Sequence, residues 1–243
     1  MTTLAVMQPY FLPYIGYWQL MRAVDRFVVY DDVNYIKGGW INRNRILVQG
    51  APAFITVPLV ESSPNKRIHA LEMQPAVWRD KLVRTVAQNY ANAACFDEVF
   101  PVVEGLIRLD ENNLAAYLTQ QLQVLARFMG IATEIVVCSR RGYDNAQLAG
   151  QERVIDMCQQ ERADVYINAQ GGQSLYGAQA FAVAGIRLRF LAMRPVSYRQ
   201  KRPDFIPYLS ILDALMAVGA AGIQEHLDAF EWVGKTVSGE VDT

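Results

Sequence analysis

The sequence predicts an α/β fold with a mostly parallel sheet flanked by helices. Two observations carry this expectation. Short apolar, β-rich runs alternate with helical stretches nearly throughout, and polar clusters follow several of those runs. A third observation sets one region apart: residues 61–130 read as mostly helical and are expected to form an inserted or lateral layer. No internal repeat, low-complexity tract or linker divides the chain, so a single domain over residues 1–243 is expected.

Leu4 to Met7 and Phe27 to Tyr30 are apolar, with a helix-compatible stretch between them. Strand, crossover helix and second strand make one βαβ unit. "AFITVPL" reads as a third strand after the segment "KGGWINRNRI". Trp78–Tyr90 and Asn113–Met129 read as helices, the second with Leu114, Tyr117, Leu118, Leu122 and Leu125 at helical spacing. Gly130 sits where that helix would end, and "TEIVVCS" follows as a strand. In "GQERVIDMCQQERA" Val154, Ile155 and Cys158 share one helical face; "DVYINA", "LYGAQAFAVAG" and "IRLRFLA" then read as strand, helix and strand.

Composition narrows the function classes. An apolar fraction of 52% and a charged fraction of 19% fit a soluble globular chain. The net charge of −1 argues against extended nucleic-acid binding by bulk electrostatics and leaves room for a local basic pocket. Cys95, Cys138 and Cys158 match no zinc spacing or disulfide framework, which points to a reducing compartment. His69 and His226 are too few for a histidine-rich metal site, and neither has an obvious partner in sequence. No signal peptide is visible, and the longest weakly polar run, "ILDALMAVGAAGI", is too short for a bilayer and carries Asp213. A cytoplasmic protein without a membrane span is expected, with homo-oligomerisation left open.

In open parallel sheets, ligands bind beyond the carboxyl ends of the strands. Gln8 to Gly16, Asp31 with Asp32, "NAQGGQSLY" and "RPVSYRQKR" all follow expected strands, so one shared pocket is predicted. Gly16 is costly in a helix and needs a reason: a flat ligand approaching the backbone, or close packing. Tyr14 and Tyr17 flank it with hydroxyls suited to a phosphate or amide. Asp31 and Asp32 would point to opposite faces of a strand; one is expected to reach the pocket and bind Mg²⁺ or an amine, the other to end the strand in a turn. Lys37, Trp40, Asn42, Arg43, Asn44 and Arg45 gather cations, amides and a stacking ring into a short segment, suited to phosphate or carboxylate. Gly171 and Gly172 either cradle an anion with backbone amides or make a simple turn. Six basic residues and no acidic one lie between Arg187 and Arg202, with Tyr198 and Gln200 beside them, which favours an anionic ligand. No Ser-His-Asp or Cys-His arrangement is visible.

The "YIGY" of Tyr14–Tyr17 is placed like the His-x-Gly-His signature of the nucleotidyltransferase-like (HUP) fold, with tyrosines where that signature has histidines. Pantothenate synthetases and small adenylyltransferases resemble this layout. Over nearly the whole chain, "MQPYFLPYIGYWQLM", "DRFVVYDDVNYIKGGWINRNRI", "GQERVID", "DVYINAQGG" and "RPDFIPYLSILDAL" resemble the WbqC-like family. That resemblance implies a place in lipopolysaccharide O-antigen or specialised-metabolite biosynthesis, and attachment of an amino acid such as glycine to an amino sugar. The combined expectation is an amide-forming transferase or ligase. Lys37, Asp32 and Tyr17 are expected in catalytic roles, with Lys37, Arg43 and Arg45 on phosphate or carboxylate. Gln8, Tyr14, Gly16, Asp31, Trp40, Asn42, Gly171 and Gly172 would line the substrates, and Tyr198 with Gln200 would close the site. The donor would be activated by ATP with Mg²⁺ or arrive as aminoacyl-tRNA. A glycosyl- or nucleotidyltransferase acting on a nucleotide sugar, and a non-catalytic partner in a biosynthetic complex, are the alternatives.

Overall fold

In a computed structural model, which describes residues 1–234, the apolar run Thr3–Met7 forms strand β1. Its alternate residues serve two faces: Ala5 joins one apolar cluster, Leu4 and Val6 another. A strand covered on both sides must be apolar on both, so this run lacks polar alternation. Helix α1 (Ile15–Arg22) and strand β2 (Arg26–Val29) complete the expected βαβ unit, with β2 parallel to β1.

The third expected strand falls outside the main sheet. β3 (Arg43–Val48) and β4 (Ala51–Thr56) pair antiparallel as a separate hairpin, with Arg43 facing Thr56. Gln49 and Gly50 turn the chain there with φ of 52° and 76°, the left-handed pair that tight hairpins need. β3 has no counterpart among the expected strands. Its Asn-Arg-Asn-Arg sequence reads as a donor-rich loop, yet Asn44 and Ile46 are buried while Arg43 and Arg45 stay half-buried on the alternate side.

Short strands β5 (Leu59–Val60) and β6 (Glu72–Met73) form another antiparallel pair. Helices α2 (Val77–Tyr90), α3 (Phe96–Ile107) and α4 (Leu114–Phe128) then build the lateral layer expected for the middle of the chain. Asn113 caps α4, its Oδ1 accepting from the Ala116 amide at 3.0 Å. Val83, Val103 and Leu118 from these helices share one apolar cluster with Ala5, Phe27 and Ile211. Layer and sheet therefore pack on a common core.

The chain returns to the sheet with β7 (Glu134–Val137) and continues through α5 (Cys138–Arg141), α6 (Gly150–Gln160), β8 (Val165–Ala169), α7 (Ala178–Val183), β9 (Arg187–Met193), α8 (Ile211–Leu227) and β10 (Phe230–Val233). The sheet order is β10-β9-β8-β1-β2-β7, parallel except for β10 at one edge, a strand additional to those expected. After β7 the chain crosses back past β1 to add β8, so the topology reverses between β1 and β8. Ser210 caps α8, and Gly219, at φ 69° and ψ −175°, interrupts it. Among the described residues no helix is long and apolar enough to cross a membrane.

Candidate functional site

The loop from Gln8 to Tyr14 leaves the carboxyl end of β1 and is stitched on every side. Asn44 donates its amide N–H groups to the Phe11 and Leu12 carbonyls at 3.0 and 2.8 Å. The Ser210 hydroxyl donates to Leu12 O at 2.7 Å, and the Trp18 indole N–H to Pro13 O at 3.0 Å. The Phe11 amide donates to Trp40 O at 3.1 Å. These bonds hold Leu12 at φ 44°, in the left-handed region that a branched side chain seldom adopts.

The stitched loop aims Tyr10, Pro13 and Tyr14 into a cavity of about 300 Å³, whose other walls are Trp40, Asn44, Arg45 and Tyr208. Tyr208 also has a positive φ, 59°, and its ring meets Tyr14 edge-on at 6.0 Å. Local strain of this kind in a bulky residue is a pointer to function. The Arg45 guanidinium lies 5.7 Å from the Trp40 ring centre, and its buried Nε has no hydrogen-bond partner. Burial, reinforced by the neighbouring Tyr14 and Tyr208 phenols respectively, pushes the hydroxyls of Tyr10 and Tyr14 up in pKa. Both stay neutral donors. The result is an aromatic box with one guanidinium, suited to a flat or small organic group bearing an anionic tail.

Gly16 belongs to this box indirectly. A Cβ there would stand 2.5 Å from Cε2 of Tyr14, so the absent side chain makes room for that ring. Close packing, rather than ligand approach, is the reason for the glycine.

The remaining expected site residues do not share the cavity. Tyr17 is buried and donates its hydroxyl to the Gln8 carbonyl at 3.0 Å. Burial, with Tyr10 nearby, holds its phenol well above the ordinary range. Asn42 is bonded to the Tyr35 hydroxyl and Val57 O. Arg43 donates to the Gly38 and Gly39 carbonyls and lies 4.4 Å over the Phe54 ring. Lys37 is exposed on the preceding turn. Gly171 faces open space, and Gly172 lets the Asn168 side chain lie where a Cβ would be 2.8 Å from its Oδ1.

Asp31 and Asp32 open instead onto a cavity of about 580 Å³ with Arg67, His69 and Ser139, beyond the ends of β2 and β7. Asp31 accepts from the Ser139 amide at 2.9 Å and its hydroxyl at 2.5 Å. Asp32 accepts from Arg67 and, at 2.7 Å, from Arg153. Burial alone would raise the Asp32 pKa, but these two guanidinium groups outweigh it and hold the carboxyl below its ordinary range. Gln200 exchanges hydrogen bonds with the Ile206 backbone and donates to Asp213 at 3.0 Å. Tyr198 also bears on Asp213, its phenol helping to hold that carboxyl down against burial.

Among the described residues these segments thus line different cavities rather than one. Asp31 with Asp32, Asn44 with Arg45, and Gln200 with Asp213 divide among separate cavities, held there by bonds within the chain. Sequence reasoning pointed to Asn44 as one of the crowded donors but did not single out Tyr10, Pro13 or Tyr208. One signal for them was present: "LPY" at Leu12–Tyr14 recurs as "IPY" at Ile206–Tyr208, and both tyrosines meet in the box.

Comparison with known proteins agrees with the motifs. The uncharacterized protein Rv1507c of Mycobacterium tuberculosis is 30% identical over 224 residues, covering 90% of this chain and 95% of that protein. No solved structure matches. The sequence profile described as the WbqC-like protein family matches residues 8–225, and the chain belongs to that family.

Proposed function

We propose that the protein is a transferase that joins an amino acid, such as glycine, through an amide bond to an amine of a sugar or small metabolite in cell-surface or specialised biosynthesis. One observation carries the reading. Three of the segments that bear the family resemblance meet in one box: Tyr10 and Tyr14 from the first, Trp40 and Arg45 from the second, Tyr208 from the last. A box of this size suits an aminoacyl group or a purine ring, with Arg45 on the attached carboxylate or phosphate.

In the reaction the amine nitrogen attacks the activated acyl carbon. A C–N bond forms, the bond to the leaving oxygen breaks, and the proton lost from nitrogen passes to that oxygen through solvent. The chain contributes positioning and electrostatics rather than a covalent nucleophile. Arg45 and the phenols of Tyr10 and Tyr14 orient the donor; Lys37, exposed on the turn before Trp40, lies outside the box and has no step in this reaction. Tyr17, by fixing Gln8, and Asp32, by gathering Arg67 and Arg153, act as positioning residues. Asp31 and Asp32 do not suit Mg²⁺, since their oxygens are already bonded to Ser139 and to two guanidinium groups. An ester donor that arrives activated, such as aminoacyl-tRNA, fits these residues better than ATP with Mg²⁺.

A second reading, transfer from a nucleotide sugar, draws on the strand order β7-β2-β1-β8-β9, the order of doubly wound nucleotide-binding sheets. Kinship with nucleotidyltransferase-like folds belongs to that reading, supported by the position of "YIGY" after β1. Incubation with glycyl-tRNA and a panel of amino sugars, read by mass spectrometry, separates the two. The expected product is one glycyl unit heavier than the acceptor, and Arg45→Met should lower its formation at least tenfold with an unchanged circular dichroism spectrum. A product carrying a nucleotide, or full turnover in Arg45→Met, would overturn the proposal.

A further inference from the structure

A cavity of about 950 Å³ lies apart from the aromatic box and has the opposite chemistry. Its walls come from the β3–β4 turn, the end of α2, the 199–202 segment and the start of α8. Three cations line it: Arg199, Lys201 and Arg202. Lys201 gives one hydrogen bond, to Asn89 O at 3.0 Å, which leaves two ammonium protons. Arg202 donates to Gly50 O at 2.9 Å and lies 3.9 Å from the exposed Asp204 carboxylate, while its buried Nε has no hydrogen-bond partner. Arg199 is exposed and makes no hydrogen bond or ion pair among the described residues.

One carboxyl group, Asp213, lies at the inner wall, 3% exposed, accepting from the Tyr90 hydroxyl at 2.7 Å. Burial pushes its pKa up against the pull of Tyr90, Tyr198 and Gln200, and it is one carboxyl group facing three cations. The cavity is therefore cationic within a chain whose net charge is −1. The side-chain amides of Gln49, Gln88 and Asn92 line the same cavity, and none of them makes a hydrogen bond among the described residues. An amide donates and accepts at once, as a sugar hydroxyl does, whereas guanidinium and ammonium groups match phosphate oxygens. The volume is at the upper end of ordinary small-molecule sites.

We propose that this cavity binds a phosphorylated sugar, with Arg199, Lys201 and Arg202 on the phosphate and Gln49, Gln88 and Asn92 on the hydroxyls. The assignment of that sugar as the acceptor rests on the reading above; its binding does not. Placement supports the pairing of two substrates. β3 supplies Arg45 to the aromatic box and Leu47 to this cavity, about 7 Å further along the strand. The segment between β9 and α8 also serves both, with Gln200–Arg202 here and Tyr208 there.

Isothermal titration of the full chain with glucosamine 6-phosphate, glucosamine, inorganic phosphate and a uridine-diphosphate sugar tests the assignment. A sugar carrying phosphate should bind, glucosamine should not, and added salt should weaken the binding. The uridine-diphosphate arm tells a nucleotide-linked phosphate from a simple ester. Arg199→Glu, a change at an exposed side chain without partners, should weaken affinity at least tenfold, and Asn92→Trp should block the cavity. Arg45→Met should leave it unchanged. If no phosphorylated sugar binds, if inorganic phosphate binds as well as the sugar ester, or if Arg45→Met abolishes binding while Arg199→Glu does not, the proposal falls. Binding here without glycyl transfer would sustain this site and refute the reaction.

Discussion

Tyr14 can serve as a wall of the aromatic box only because its neighbour Gly16 has no side chain. A methyl group there would press on Cε2 at 2.5 Å and Cζ at 2.9 Å. Gly16→Ala should therefore cost about 1–2 kcal/mol, since overpacking outweighs the roughly 1 kcal/mol gained in helix propensity. In a Tyr14→Ala background the same change should be neutral or stabilising, and urea midpoints of the four variants measure the coupling. Equal effects in both backgrounds would show that Tyr14 does not lie there. The sequence marked the cluster through "YIGY" but could not rank its tyrosines. Tyr17, inside α1, turns into the core, whereas Tyr14 precedes the first helical residue and escapes that fate. Partners were less legible still: Asp32 meets Arg67 and Arg153 at sequence separations of 35 and 121, and no local pattern announces either pairing.

At the scale of elements, β3 is the piece that makes the site, through one amide. Asn44 supplies the side-chain donor to the Phe11 carbonyl and one of the two to Leu12 O, the other being the Ser210 hydroxyl. Asn44→Ala should destabilise by about 1–3 kcal/mol, the cost of leaving the Phe11 carbonyl without its donor while Leu12 O keeps only Ser210. It should also weaken ligands of the aromatic box, because Tyr10 and Tyr14 ride on that loop. Chemical denaturation checks the first effect and titration the second; a loss below about 0.5 kcal/mol, the scatter of ordinary surface changes, would show the loop to be held otherwise. β4 was legible because "AFITV" has the apolar and β-branched content of a strand. β3 was not. Its alternation is of asparagine and arginine, and its turn is Gln-Gly rather than the Asn-Gly that signals a hairpin. Buried amides occupy positions where a strand pattern leads one to look for isoleucine or valine.

For the molecule as a whole, Asp32 ties the lateral region to the sheet, since Arg67 precedes β6 and Arg153 lies on α6. Its carboxyl is pushed up by burial and pulled further down by these two partners, so its folded pKa lies below the unfolded value. The stability it lends is present above the unfolded value, about 3.9, and is lost as pH falls through the folded one. Asp32→Asn should therefore cost about 2–3 kcal/mol near neutrality and progressively less in acid. Urea midpoints from pH 7 down to pH 3 test this, and parallel curves for the two proteins would refute it. Strand–helix alternation revealed the parallel sheet, but strand order was not legible, because it depends on which distant segments pair. Thr3 lies beside Val165, and the sequence contains no sign of that adjacency. The arrangement bears on how the chain folds as it is made. β1 emerges first and gains β2 early, while its other edge stays bare until β8 has been synthesised. Contacts so far apart along the chain close slowly, and an unpaired strand that is apolar on both faces is a point of aggregation meanwhile. The strand made first must wait for most of the polypeptide before both its edges are covered.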